Sequence, residues 1–234
     1  ISISVQAASG GGGVFQQDGG AGGVVSMEAE SAEANLAAPD GHAWLSAGGS
    51  FPGFSGSDAL QALPDDGVTN GSAYSTLSPQ LDYQVNVVAT GTHYLWVRGW
   101  SPSLASDSFH AGLDGQEFGS ASNLRGAGTG SYIWVSTKAN GRRATLDIPT
   151  QGEHTVNLWM YESGFVVDKL VLTLGERAPA GEPLRYVAQS GTVIVSTDAA
   201  AEHLIELGLA QADIDWQQQL DQVAERKFGP DSEV

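Results

Sequence analysis

The chain has 234 residues and no cysteine, and it carries a formal net charge of −17 at pH 7. This charge excludes nucleic acid as a partner, since binding to phosphates needs a basic surface, and it disfavours adsorption to anionic membranes. The absence of cysteine excludes a disulfide framework and every metal or nucleophilic site that depends on a thiol.

Composition also indicates the fold class and the compartment. Glycine accounts for 31 residues and Lys plus Arg for only 10, and short apolar runs separated by glycine are typical of all-β proteins. No apolar run reaches the roughly 18 residues that a transmembrane helix needs, so no membrane insertion is expected. Acidic, cysteine-free chains are common among exported bacterial proteins, so we expect a secreted or cell-surface protein. Without an initial Met or a visible signal peptide, the chain is expected to be a piece of a larger precursor.

Residues 1–23 are expected to form an N-terminal strand followed by a linker. Residues 1–7 alternate apolar and polar, as a half-buried strand does, and residues 8–23 are rich in glycine, as flexible linkers are. Two interpretations remain open for this strand. It is either an additional edge strand or leader of its own domain, or a strand donated to another copy of the chain by β-augmentation.

A Glu-Ala-Glu motif and a late aspartate predict a cation site. Glu28 and Glu30 are two residues apart, so on a strand their carboxylates point to the same face. Asp168 interrupts an apolar strand and is expected on the side of Leu170. Three acids at one end of a sandwich would repel one another and lose hydration, a cost that a hard cation removes. Ca2+ suits oxygen ligands from different strands, with backbone carbonyls near residues 54–57 completing the shell.

Alternation of apolar and polar residues recurs through residues 24–174. Asp114-Gly115, between two alternating segments, is a strong hairpin signal. Strand-length runs at short spacing, punctuated by Gly, Pro, Asn and Asp, indicate a β-sandwich or jelly roll. Apolar side chains occupy every second position of five runs: Leu81, Tyr83, Val85, Val87; Leu95, Val97; Phe109, Ala111, Leu113; Ala144, Leu146, Ile148; and Val156, Leu158, Met160.

Seven segments in this order and spacing carry a family resemblance: residues 27–30, 53–63, 81–87, 91–100, 107–115, 152–160 and 164–172. Together they resemble the β-sandwich carbohydrate-binding modules typified by families 6 and 35. In those families an early Glu-x-Glu strand and a late Asp strand hold a structural Ca2+, and the ligand usually meets the loops at one end of the sandwich. The resemblance therefore implies the same metal role for Glu28, Glu30 and Asp168.

The aromatic residues predict where a glycan would bind. Sugars present apolar C–H faces, so exposed rings flanked by hydrogen-bonding side chains are typical of their binding sites. For Trp44 a position in the core is the alternative. The candidate platforms at strand ends are Trp44, Trp100 and Tyr161, and the polar candidates beside them are Tyr74, Asp107 and Glu162.

No motif predicts an active site. No serine lies in a Gly-x-Ser-x-Gly turn, and the five histidines lack a spacing such as His-Glu-x-x-His. A glycosidase needs two carboxylates at a defined separation in a cleft. Asp65, Asp66, Asp107 and Glu162 are available, but loop acids in an acidic protein are usually solvated, so we expect no enzyme activity.

Residues 175–234 form an extension that changes from β to α character. Short strands are expected at residues 184–188 and 192–196. Asp198 and Asp215 are candidate N-caps of two helices that follow. This extension does not belong to the carbohydrate-module pattern and could not be assigned to a family.

These observations predict an all-β protein: a jelly-roll β-sandwich over residues 24–174, with an N-terminal extra strand and a small C-terminal α/β or helical extension. The expected function is noncatalytic binding of a polysaccharide or other glycan by a Ca2+-stabilised module of an exported protein. The alternative is a structural subunit of an extracellular filament or an adhesin for cell adhesion, assembled by strand donation between copies of the chain. Assembly that depends on residues 1–7 would distinguish this alternative.

Overall fold

The computed structural model describes residues 13–126 and 130–176, together with the backbone of two further strands. Helices are short here, and none is long and apolar enough to span a membrane. They comprise one α-helix, α1 (Tyr74–Leu77), and 3-10 turns at Ala29–Ser31 and Gly119–Ala121. The strands in chain order are β1 (Phe15–Gln16), β2 (Val25–Glu28), β3 (Ala34–Leu36), β4 (Ala43–Ser46), β5 (Leu60–Leu63), β6 (Gln80–Val87), β7 (Gly91–Trp100), β8 (Ser108–Leu113), β9 (Gln116–Glu117), β10 (Leu124–Arg125), β11 (Ile133–Val135), β12 (Thr145–Ile148), β13 (Gly152–Met160), β14 (Val166–Thr173), β15 (Arg185–Val187) and β16 (Val193–Val195).

The described strands form two large sheets, which confirms the predicted all-β sandwich. Sheet A has the order β1-β6-β13-β8-β10, with β3 also paired to β6 and β9 to β8. Sheet B has the order β11-β7-β14-β5-β4, with β12 also paired to β7 and β2 to β14. Long central strands carry most of the pairing, including eight residues of β13 against β6. Strands β15 and β16 pair with each other and fall where the sequence places two short strands.

The core lies between the two sheets and consists of the alternating apolar side chains. In β6 the burial alternates without exception along all eight residues, as a strand with one face against a core requires. Each large apolar side chain buried in this way contributes about 1.5–3 kcal/mol. The buried residues of the main cluster include Leu81, Tyr83, Val85, Val87, Leu95, Val97, Phe109, Leu146, Val156, Leu158, Leu170 and Leu172.

The turn at Asp114-Gly115 confirms the predicted hairpin. Both residues have positive φ angles, of 52° and 73°, as the two central residues of a type I′ turn require. Strand β9 follows at once and pairs antiparallel with the end of β8. The turn is also fixed from outside, because the N–H of Gly115 donates to Asn157 Oδ1 at 2.8 Å.

The N-terminal region differs from the predicted linker where it is described. Strand β1 pairs parallel with β6 at the edge of sheet A. Gln17 follows, and its Oε1 accepts hydrogen bonds from the N–H groups of Val88 and Ala89, both at 2.8 Å. The sandwich therefore begins before residue 24, and the prediction of a free linker does not hold for residues 15–17. The predicted strand at residues 1–7 and the predicted helices after Asp198 lie outside the described residues.

Candidate functional site

The loops at one end of the sandwich bring together three predicted glycan-binding residues. Strand β14 begins opposite the end of β7, and β13 ends opposite the start of β8. Residues 101–107 connect β7 to β8 and residues 161–165 connect β13 to β14, so these two loops lie at the same end. We call them the loop end. Its predicted site residues are Asp107, Tyr161 and Glu162.

Asp107 and Glu162 form a buried pair of carboxyl groups at the loop end. Their side chains belong to residues that are only 5% and 7% exposed. The backbone N–H of Asp107 donates to Glu162 Oε2 at 3.0 Å, and the N–H of Glu162 donates to the carbonyl of Ser108 at 3.1 Å. The two carboxyl groups are close enough for Glu162 to raise the pKa of Asp107. Backbone contacts therefore hold two acids together where water is largely excluded.

One oxygen of this pair lacks a hydrogen bond. Asp107 Oδ1 is buried and has no hydrogen-bond partner in the described part of the chain. Arg125 is the nearest cation, but its Nε lies 3.9 Å from Asp107 Oδ1 and its Nη2 lies 3.5 Å from Glu162 Oε1, longer than normal hydrogen bonds. A buried polar atom without a partner costs about 1–3 kcal/mol. This cost is unexplained by packing and marks the pair as a candidate site.

The environment of the pair favours a bound proton. Burial is the largest cause, and together with Glu162 it raises the pKa of Asp107 from 3.8 to about 7, while Arg125 offsets only part of the shift. The folded state therefore holds a proton that the unfolded chain has released at pH 5 to 7. Stability is lost as the pH rises from near 4 towards 7, because folding at higher pH leaves two charged acids in contact.

Asp107→Asn is expected to stabilise the protein more at pH 8 than at pH 5. The difference between the two gains is on the order of 2 kcal/mol, since each pKa unit corresponds to about 1.4 kcal/mol. Urea unfolding at both pH values measures it. Glu153→Gln, which removes an exposed acid at the other end of β13, is the matched control and should show no such difference. An equal effect of Asp107→Asn at both pH values would contradict this assignment.

Tyr161 is the aromatic residue that the loop end presents. Its ring is partly exposed and lies against the ring of His110, with 5.0 Å between the centroids. Burial lowers the pKa of His110 to about 4, so its imidazole is neutral at physiological pH and places no charge beside the ring of Tyr161. The ring of His110 is also stacked on the ring of Tyr74, with 3.7 Å between the centroids.

Tyr74 does not occupy the position that the sequence predicts. It is 5% exposed and lies in α1 behind His110, and burial raises its pKa to about 12. Its ring supports His110, which in turn supports Tyr161. Tyr74 is therefore more buried than the sequence suggests, and its role as a polar contact to a glycan stays a prediction.

The two tryptophans proposed as platforms do not contact this group of residues. Trp44 is 1% exposed in β4 and its Nε1 donates to the carbonyl of Pro79 at 3.1 Å, so the core alternative holds. Trp100 is partly exposed on the outer face of sheet B and packs edge-on against Phe51 and Tyr132. The contacts of Trp100 therefore place it in a separate aromatic cluster.

Arg125 and His110 are site residues that sequence reasoning missed. Arg125 lies in β10, which is only two residues long and pairs with the start of β8. The small number of basic residues could have indicated Arg125, because a chain with ten Lys and Arg residues has few cations to place beside an acid. His110 occupies a position of β8 that reads as ordinary alternation, so no local pattern indicated it.

The three predicted metal ligands also come together, around the loop of residues 53–57. The N–H of Ser55 donates to Asp168 Oδ1 at 2.7 Å, and the Ser55 hydroxyl donates to Glu28 Oε2 at 2.7 Å. Glu30 Oε1 accepts from the N–H of Ser57 at 2.5 Å. Gly56 has a φ of 67°, and a Cβ there would overlap Glu30 Oε1. The loop therefore donates hydrogen bonds to all three carboxylates, and its backbone conformation requires glycine at position 56.

Two local details of this cluster differ from the prediction. Strand β2 ends at Glu28, and Glu30 lies in the following 3-10 turn, so the two glutamates do not share a strand face. A bulge between Val167 and Lys169 shifts the register of β14 against β7. Asp168 consequently pairs with Arg98, a residue of the outer face of β7, instead of lying on the side of Leu170.

The cluster does not fit a Ca2+ ion with the side chains as they are placed. The loop offers N–H donors to the carboxylates, whereas a Ca2+ site needs oxygen ligands. Arg98 Nη1 pairs with Asp168 Oδ2, and Lys169 Nζ lies 2.7 Å from Glu28 Oε1. Over residues 13–126 and 130–176 no group of three or more His, Asp or Glu side chains could hold a metal ion. Calcium binding remains a prediction.

The fold defines a β-sandwich module, and comparison with known proteins gives its family. Residues 20–181 match the family described as "Glycosyl hydrolase family 115 C-terminal domain". This match spans more than half of the chain, and the chain belongs to that family. A curated relative, "Uncharacterized protein P23" of Formosa agariphila, is 29% identical over 136 residues, which are 51% of this chain and 33% of the relative. The chain thus spans about a third of that relative's length.

Solved structures of similar fold include modules of the two families that the sequence resembles. A family 35 carbohydrate-binding module of Clostridium thermocellum has a TM-score of 0.43 and 18% identity, covering 64% of this chain and 96% of that chain. A family 6 module of Clostridium cellulolyticum, solved with xylose, has a TM-score of 0.36 and 17% identity, covering 62% and 93%. The GH26-CBM35 β-(1,4)-mannanase of Podospora anserina has a TM-score of 0.44 and 15% identity, covering 69% and 30%.

Proposed function

We propose that this chain is a noncatalytic carbohydrate-binding module of an exported protein, and that its loop end binds a polysaccharide. Membership of a family named for the C-terminal domain of a glycosyl hydrolase supports a role beside a polysaccharide-active region. The proposed contacts are Tyr161 for the apolar face of a sugar ring and the Asp107–Glu162 pair for its hydroxyl groups. Arg125 lies at the rim of this site.

The observation that carries the proposal is the unsatisfied oxygen of the acid pair. Asp107 Oδ1 is buried and has no hydrogen-bond partner within the described residues. Sugar hydroxyls are donors, and if the side chain of Asp107 turns outward on binding, a hydroxyl at this oxygen would satisfy it and relieve its cost. The partly exposed ring of Tyr161, adjacent in sequence to Glu162, supplies the stacking surface that sugars require.

Affinity electrophoresis against a panel of polysaccharides tests this proposal. The wild-type chain should be retarded by at least one of them. Tyr161→Ala and Asp107→Ala should each weaken binding about tenfold or more, which is about 1.4 kcal/mol or more. Glu153→Gln, which lies far from the loop end, should bind like the wild type. Wild-type migration that no polysaccharide affects, or unchanged retardation of both loop-end variants, would contradict the proposal.

The geometry of the acid pair also supports a module without hydrolytic activity. Glycosidases place their two carboxyl groups about 5–9.5 Å apart, with the glycosidic bond between them. The backbone N–H of Asp107 donates to Glu162 Oε2 at 3.0 Å and Glu162 raises the pKa of Asp107, so the two groups lie side by side and do not face each other across a cleft. We expect the purified chain to release no reducing ends from any polysaccharide that it binds. Release that disappears in Glu162→Gln would show that the pair is catalytic.

A further inference from the structure

Arg98 occupies the position where the sequence argument places a metal ion. It lies in β7 and is 9% exposed, with its guanidinium 4.9 Å from the centre of the Tyr132 ring. Its Nη1 pairs with Asp168 Oδ2, and its Nη2 donates to the carbonyl of Gly53 at 3.1 Å. One planar cation therefore joins a buried carboxylate to a backbone carbonyl of the loop at residues 53–57.

These two contacts are the ones that a structural Ca2+ would make. A hard cation in such a site neutralises a carboxylate and gathers carbonyl oxygens from a neighbouring loop. A guanidinium can do both, because its donors form a rigid fork and it remains charged at every physiological pH. The ring of Tyr132 further supports the guanidinium from one face.

A second cation and the loop bind the other two acids, although Glu30 Oε2 is buried without a hydrogen-bond partner in the described part of the chain. Lys169 Nζ lies 2.7 Å from Glu28 Oε1, and the hydroxyl of Ser57 donates to Glu30 Oε1 at 3.0 Å. Two positive side chains thus accompany three carboxylates. The electrostatic reason for expecting a metal, which is three acids without a counter-charge, is therefore much reduced, because two of the three negative charges are already balanced.

We propose that Arg98 replaces a metal ion in this chain: it holds Asp168 to the loop at residues 53–57, and together with Lys169 it supplies the positive charge of the acid cluster, so that folding does not depend on Ca2+. This proposal concerns a different part of the sandwich from the loop end. It stands or falls independently of glycan binding.

Thermal unfolding of the full chain with EGTA or with added Ca2+ is the first test. We expect the two melting temperatures to agree within about 1 °C, because a ligand that does not bind the native state cannot stabilise it. A wild-type melting temperature that falls by several degrees in EGTA and is restored by Ca2+ would overturn the proposal. This comparison needs no variant, so it tests the proposal even if the variants of Arg98 fail to fold.

Variants of Arg98 form the second test. Arg98→Met keeps most of the side-chain length without the charge, so we expect the melting temperature to fall by several degrees, since Asp168 is left buried and unpaired. Adding Asp168→Asn to Arg98→Met should recover part of the loss. Arg142→Met, at an exposed position, is the matched control. Stability of Arg98→Met equal to that of Arg142→Met would overturn the proposal.

Discussion

Replacing Trp44 with alanine is expected to lower the free energy of unfolding by about 3–5 kcal/mol, the range for large aromatic side chains removed from a core. Trp44 is 1% exposed and belongs to the main core cluster. Its indole N–H also donates to the carbonyl of Pro79, and this acceptor would lose its partner. Urea unfolding followed by circular dichroism measures the change.

Trp44→Phe separates this structural role from the glycan role that the sequence left open. Phenylalanine keeps much of the buried ring but cannot donate to Pro79, so we expect an intermediate loss of stability. The folded variant should be retarded by polysaccharides as strongly as the wild type. A Trp44→Phe protein with normal stability but weakened glycan binding would show that Trp44 belongs to the binding site.

Gly112→Ala is expected to lower the free energy of unfolding by about 2–3 kcal/mol, which is typical of forced overpacking. A Cβ at this position of β8 would overlap the carbonyl of Gln116 and lie 2.5 Å from the ring of Trp159. The carbonyl cannot retreat without disturbing the β8–β9 hairpin. Thermal or urea unfolding of the variant measures the loss.

Gly115→Ala is the matched control in the same hairpin. A Cβ on Gly115 would meet no atom within 4 Å, but the residue has a φ of 73°. Only the left-handed backbone conformation then opposes alanine, at a cost of about 1 kcal/mol. If Gly115→Ala proved more damaging than Gly112→Ala, close packing at Gly112 would not be the controlling factor.

The fold could be predicted because apolar and polar residues alternate along strands that have one face against the core. Leu81, Tyr83, Val85 and Val87 occupy every second residue of β6, and all four are buried in the structure. A strand with one face against a core must repeat in this way. The Asp114-Gly115 turn could also be predicted from the sequence, since both residues tolerate the positive φ angles of a tight hairpin.

The carboxylate cluster was only partly predictable, because a bulge breaks the rule that placed Asp168. Counting by twos along β14 assigns Asp168 to the side of Leu170, but the register shift between Val167 and Lys169 turns it towards Arg98. A β-bulge adds one residue to one strand and leaves no reliable trace in the apolar pattern. The counter-charges from Arg98 and Lys169 could not be foreseen without that register.

The loop end required tertiary information of a different kind. Asp107 and Glu162 were recognised as polar residues near strand ends, but their contact depends on the pairing of β8 with β13. Neither the burial of the pair nor the missing partner of Asp107 Oδ1 can be read from single residues. Tyr161 was correctly expected at this end, since it directly follows the last residue of β13.

The central claim is that the loop end binds a carbohydrate, and chemical-shift mapping tests it most directly. Backbone amide spectra of the 15N-labelled chain are recorded during titration with oligosaccharides from the polysaccharide that retards it. We expect the largest shift changes at Asp107, Arg125, Tyr161 and Glu162, with little change at Ser55 and Ser57 beside the carboxylate cluster. Changes centred on Trp100 and Tyr132, or no changes at saturating ligand, would contradict the claim.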